Sequence, residues 1–179
     1  GVVTLSAFAL VVATFVFPID SRIALNFSGG GQNSPGQVEI ALGIGFWIAL
    51  ALIVSALPVK LPRGTPLAVS LAPLVAAMAL GGPAVAGWVA LVGTTEVREL
   101  RGRIPWYGTL VNHAGIVLPI VAAGIVRVTI VTVATPFGAP NLITDFGSTV
   151  VGSLVYFVLN TAIAAGVVAL RTGQSFSAV

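Results

Sequence analysis

The sequence predicts an all-α fold, a polytopic helical membrane bundle of about six transmembrane helices, and three observations carry that prediction. Hydrophobic residues make up 57% of the 179 and charged residues only 7%, whereas soluble domains are about 25% charged. The mean hydropathy of +1.08 reflects apolar residues gathered into discrete runs, with Gly, Pro, Ser and the charges left between them. The basic residues, finally, fall mainly in alternate loops, which is a topology signal rather than a basic face.

The runs are residues 2–17, 38–57, 67–80, 84–95, 108–133 and 148–170. Lipid offers a bare backbone no hydrogen bonds, so runs of this kind must be helical. About 20 residues cross the hydrocarbon core, and the second, fifth and sixth runs have that length. The third and fourth are short, reaching about 21 Å and 18 Å at 1.5 Å per residue, and Pro73 weakens the third further. Gly81, Gly82 and Pro83 lie between them. They therefore form either two thin spans or a re-entrant pair. The first run opens without a Met, a basic segment or a small-residue cleavage site, so it reads as a transmembrane helix rather than a signal peptide. Residues 1–179 are expected to be a single integral membrane domain and a fragment of a longer chain.

Arg22 follows the first run, Lys60 and Arg63 the second, Arg98, Arg101 and Arg103 the fourth, and Arg171 the sixth, while Arg127 lies near the end of the fifth. Six of the eight thus sit in even-numbered loops, and the positive-inside rule places both termini in the cytoplasm of an inner (plasma) membrane protein. This orientation is the same whether the third and fourth runs span or re-enter. The odd loops are rich in Gly, Ser, Asn and Pro, as outer connections are.

Several chemistries are excluded or disfavoured. There is no cysteine, hence no disulfide or thiolate site. Eight dispersed basic residues make no nucleic-acid footprint, and no cofactor is expected. Gly29, Gly30 and Gly31, like Gly43 and Gly45, lack the third glycine and the strand-to-helix setting of a dinucleotide site. Asn26, Phe27 and Ser28 form an N-x-S sequence that reads as chance. His113 is the single histidine and has no metal-ligand partners at useful spacing, so neither a catalytic nor a metal site is expected.

The candidates for a ligand site or an intramembrane polar network are Glu39, Asn112, His113, Arg127, Asp145, Tyr156 and Asn160, because polar groups in lipid are costly to bury. Arg127 either snorkels to the outer interface or turns inward to pair with Glu39 or Asp145. His113, beside Asn112, reads first as a packing or interfacial residue. Tyr156 and Asn160 are four apart and share a helix face, which suits interhelical hydrogen bonding. Glu96 and Glu99 beside Arg98, Arg101 and Arg103 suggest ion pairs on a short interfacial helix. Trp106 and Tyr107 read as an interfacial belt.

The stretch LPVKLPRGTPLAVSLAPLVAAMALGGPAVAGWVALVGTT, followed by RGRIPWYGTLVNHA, resembles the multi-pass membrane domain that precedes HD-type phosphohydrolase or GGDEF-type cyclase domains in bacterial signalling proteins. The marks are a proline-bracketed loop, a Val-Ser-Leu sequence, the Gly82–Pro83 turn, a basic loop and a dipeptide opening the next helix. That dipeptide is Phe-Asn in the family and Val111–Asn112 here, so the aromatic is missing. NTAIAAGVVALRTGQSF, residues 160–176, resembles the stretch where the family's sixth helix exits. The resemblance implies a sensory or anchoring module, not itself an enzyme, that couples a signal to an attached cytoplasmic output domain. Two other classes compete: the substrate-binding membrane subunit of a vitamin or small-molecule importer, and a structural accessory subunit packed against other membrane subunits. The expected partners are the lipid bilayer and such a domain or subunits.

Overall fold

The computed structural model describes residues 1–25, 35–57, 59–60, 66–67, 71–137 and 141–173. The N-x-S sequence, the triple glycine and Arg63 lie outside them. The described elements are α1 (Val2–Val16), α2 (Gln37–Ala56), β1 (Val59–Lys60), β2 (Pro66–Leu67), α3 (Leu71–Gly93), α4 (Val97–Leu100), α5 (Trp106–Ala134) and α6 (Asn141–Thr172). Short 3-10 turns occupy Ser21–Ile23 and Thr135–Phe137. The chain is a helical membrane bundle, and its two tiny strands pair antiparallel, Val59 opposite Leu67, within one connection.

Prolines and glycines set the helix ends. Phe17 is extended at φ −104°, ψ 122°, as a residue before proline must be, and α1 stops there. α2 starts at Gln37 with the Glu39 carboxylate accepting the Gly36 amide at 2.7 Å, which satisfies one of the amides left open at a helix start. Pro105 introduces α5, and α6 closes on Gly173 at φ 66°, the left-handed exit that glycine tolerates.

The expected count of about six is corrected at the third and fourth runs, which join as α3. Four helices are long and apolar enough to cross a membrane, Gln37–Ala56, Leu71–Gly93, Trp106–Ala134 and Leu142–Leu170, and Val2–Val16 is shorter. The figure for α3 conceals a break. Gly82 has φ 84° and ψ −175°, a region open essentially to glycine alone, and Pro83 then starts a second half at the position where a missing N–H costs nothing.

Chain reach shows that the two halves, residues 71–81 and 83–93, fold back on each other. From Ala56 to β1, across the strand pair and on to Leu71, the connection spans about 30 Å at most. Gly93 packs on Ala51, so a straight 23-residue α3 would leave Leu71 about 40 Å from Ala56. The halves therefore form a V with its apex at Gly82. A Cβ on Gly81 would lie 2.7 Å from Val85 Cβ, whereas helical residues four apart keep their Cβ atoms about 5–6 Å apart.

The second half of α3 runs antiparallel to α5, with Thr94 beside His113, Gly87 against Val121 and Pro83 against Gly124. Both halves of α3 and α5 hold the core: Met78, Val85, Val89, Val117, Ile120 and Val121 are essentially inaccessible. The outside is apolar as well, since Phe8, Phe15, Ile53, Leu154, Phe157 and Val158 are all more than half exposed. Such a surface suits lipid, not water. Gly1, Lys60, α4 and the Thr172 end of α6 lie at one end of the bundle, called here the basic end. The apex of α3 points to the opposite, far end.

Candidate functional site

The far end carries an alternating chain of charges built from four parts of the sequence. Arg127, 4% exposed on α5, donates through Nη2 to Asp145 Oδ1 at 2.8 Å and through Nε to Thr149 Oγ1 at 3.3 Å. Asp145 Oδ2 accepts Arg22 Nη1 at 2.8 Å. Arg22 grips Asp20 through Nε at 2.8 Å, Nη2 at 2.7 Å and its own amide at 3.0 Å. The Asp20 amide in turn donates to Gly81 O at 3.4 Å, a carbonyl released when the helix breaks at Gly82. Two guanidiniums and two carboxylates thus balance, and they tie the α1–α2 connection, the α3 apex, α5 and α6 together.

Burial raises the Asp20 carboxyl, but the hydrogen bonds from the Arg22 side chain and amide outweigh it and hold the group below the usual carboxylate range. The same contact with Asp20 raises the Arg22 guanidinium against the opposing effect of burial. Both groups are thus charged across the physiological range. Beside the chain lies a cavity of about 270 Å³, lined on its polar side by Asp20, Arg22, Gly82, Arg127 and Thr132, and on its apolar side by Phe17, Ile19, Val128 and Val131 among others.

A second polar cluster closes the basic end. Glu99 Oε2 lies 3.0 Å from His113 Nε2 and accepts the Glu96 amide at 3.1 Å, while Asn112 Nδ2 approaches Oε1 at 3.4 Å. Thr94 Oγ1 donates to Ala90 O at 2.7 Å and lies 3.5 Å from His113 Nδ1, so each ring nitrogen of His113 faces an oxygen. His113 and Glu99 line a cleft of about 760 Å³ with Leu91, Leu100, Trp106 and Leu110.

The residues singled out from sequence therefore separate. Arg127 and Asp145 meet, whereas Glu39 is occupied at the start of α2. Asn112 and His113 meet Glu99. Tyr156 is packed into the core, and Asn160 lines a cleft of about 370 Å³ with Asn112 and Ile163. Of the expected interfacial ion pairs, Arg98 holds Glu96 at 2.6 Å, but Glu99 turns to His113. Sequence reasoning did not reach Asp20, which stands two residues past Pro18 at the mouth of α1, nor the role of Arg22. An acid two residues ahead of a base in a connection was the available signal.

Among the described residues no group of three or more His, Asp or Glu is placed to hold a metal ion. The chain matches no protein-family model, no curated protein and no solved structure.

Proposed function

We propose that this chain is a membrane-embedded sensory or anchoring module that couples a signal at the far end to an attached output domain at the basic end. The far end then faces outward from a plasma membrane and the basic end faces the cytoplasm, as the distribution of Lys and Arg favours. The observation that carries the reading is the place of Asp145. It sits near the start of α6, it holds α6 to the bundle through Arg127 and Arg22, and α6 is otherwise an edge helix that rests mainly on α5, with 11% of its apolar stretch buried. A ligand that draws on Arg127 weakens that hold, and α6 carries the change along its length to the basic end. Catalysis, in this reading, belongs to the attached domain.

Cross-linking tests it, because the chain has no cysteine of its own. A Cβ on Gly115 would lie 3.6 Å from Ile163 Cγ2, so a Gly115→Cys/Ile163→Cys pair reports α5–α6 contact toward the basic end, far from Asp145. Adding Asp145→Asn should change the oxidation rate of that pair severalfold in membranes. An unchanged rate sinks the coupling. The importer-subunit reading uses the same cavity, but it requires a partner ATPase pair and no movement of α6.

A further inference from the structure

Three features converge on the 270 Å³ cavity at the α3 apex. The first is Arg127. Its Nε and Nη2 are engaged, but Nη1 has no partner among the described residues. No side-chain nitrogen or oxygen there is both inaccessible and unpartnered, so Nη1 must open onto space, and the cavity is the space that Arg127 lines. The second is the start of the second half of α3. Gly82 lines the cavity, and the amides that follow Pro83 form the positive end of a half-helix, the arrangement by which broken membrane helices hold carboxylates. The third is Asp20, also on the wall. A carboxylate has about four acceptor sites, and Arg22 takes three of them.

We infer that the cavity takes a small zwitterion with an apolar body, of the α-amino-acid class, its carboxylate on Arg127 Nη1 and the half-helix, its ammonium on Asp20. This rests on the sensory reading for its consequence but not for its chemistry. Opposite charges on one wall select the zwitterion. Arg127 is buried and Asp20 lines the same cavity, so a lone anion would meet one of its opposite and one of its own sign, and so would a lone cation. A zwitterion adds no net charge and offers each sign to its opposite. The remaining wall, Phe17, Ile19, Val128 and Val131, suits an aliphatic side chain. The volume lies below the range of about 300–1,000 Å³ usual for drug-sized ligands, which fits a metabolite of a few carbon atoms.

Equilibrium dialysis of the chain in lipid nanodiscs tests this with L-leucine, isovalerate, which lacks the amine, and isoamylamine, which lacks the carboxylate. L-Leucine should bind about tenfold or more tightly than either fragment. Arg127→Gln should abolish binding. Asp20→Asn should remove the preference for L-leucine over isovalerate, and it serves as the second variant if Arg127→Gln does not fold. Isovalerate binding as well as L-leucine, or no retention of any probe, overturns the inference. Its failure is separable from that of the sensory reading. If no probe binds while Asp145→Asn still alters the Gly115→Cys/Ile163→Cys rate, the ligand class is wrong and the coupling stands. If L-leucine binds selectively while that rate never changes, the reverse holds.

Discussion

Gly124 and Pro83 touch backbone to backbone: a Cβ built on Gly124 would stand 2.7 Å from Pro83 Cα and 3.2 Å from its nitrogen. The neighbour is main chain at the apex of α3, so it cannot rotate aside as a side chain would. Gly124→Ala should therefore destabilise the bundle by about 1–3 kcal/mol. Gly147→Ala, on α6 with nothing within 4 Å of the added atom, should be neutral or stabilise by up to about 1 kcal/mol. Thermal melting in one detergent compares the two, and equal midpoints would remove the close approach from the account of the fold.

The apex itself makes an asymmetric prediction. Gly82→Ala forces an L-residue to φ 84° and should cost about 1–3 kcal/mol. Pro83→Ala replaces a residue at a first helical position, where alanine is tolerated, and should change stability by less than about 1 kcal/mol. Steric trapping or denaturant titration in bicelles ranks them. A larger loss from Pro83→Ala would mean that Pro83, not Gly82, sets the break.

The far-end charges should be non-additive. Asp145→Asn alone leaves Arg127 buried without its nearest counter-charge, and Arg127→Gln alone leaves Asp145 with Arg22. The double variant should cost less than the sum of the singles, with a coupling of about 1–3 kcal/mol. A double-mutant cycle on unfolding free energies that closes to zero would show two independent residues.

The acid limb of stability should carry Asp20. Burial raises its carboxyl, the Arg22 hydrogen bonds lower it further, and the net direction is downward. A group depressed in the folded state contributes stability above its unfolded pKa, and that contribution disappears as pH falls through the folded value. Melting temperature should therefore fall on acidification below the usual carboxylate range. Asp20→Asn should start lower at neutral pH and show a shallower fall, and parallel curves would contradict it.

Sidedness is open to direct labelling in the cysteine-free chain. Single variants Arg103→Cys and Thr172→Cys should react with an impermeant maleimide from the same side of sealed vesicles, and Ser21→Cys from the other. Reaction of all three from one side would dismantle the proposed arrangement of the helices.

How much of this was legible in the sequence depends on which kind of signal each part left. Helix existence followed from run length, and the weakness of residues 67–80 and 84–95 pointed correctly at Gly81, Gly82 and Pro83. Choosing between a turn and a bend needed the chain reach from Ala56 to Leu71, which no local pattern contains. The sixth apolar run starts seven residues late, at Ser148 instead of Asn141, because Asn141, Thr144 and Asp145 read as loop residues until the pairing of Asp145 with Arg127 is known. Glu39 looked like a mate for Arg127 on grounds of depth alone, yet its position three residues after Gly36 gave it a local amide to bind. The turn of Glu99 toward His113 rather than the flanking arginines depends on how α4 docks on α5, which is tertiary information.

α6 is 32 residues long, about 48 Å of helix against a hydrocarbon core of about 30 Å. Tilt can take up that excess, since the apolar stretch runs from Leu142 to Leu170. In the proposed reading α6 is a lever arm pinned near its start by Asp145. A swing of about 10° at the pin would carry Thr172, about 40 Å along the helix, about 7 Å sideways. Under the proposed coupling, a small change in one ion pair would thus become a displacement of several ångströms at the basic end.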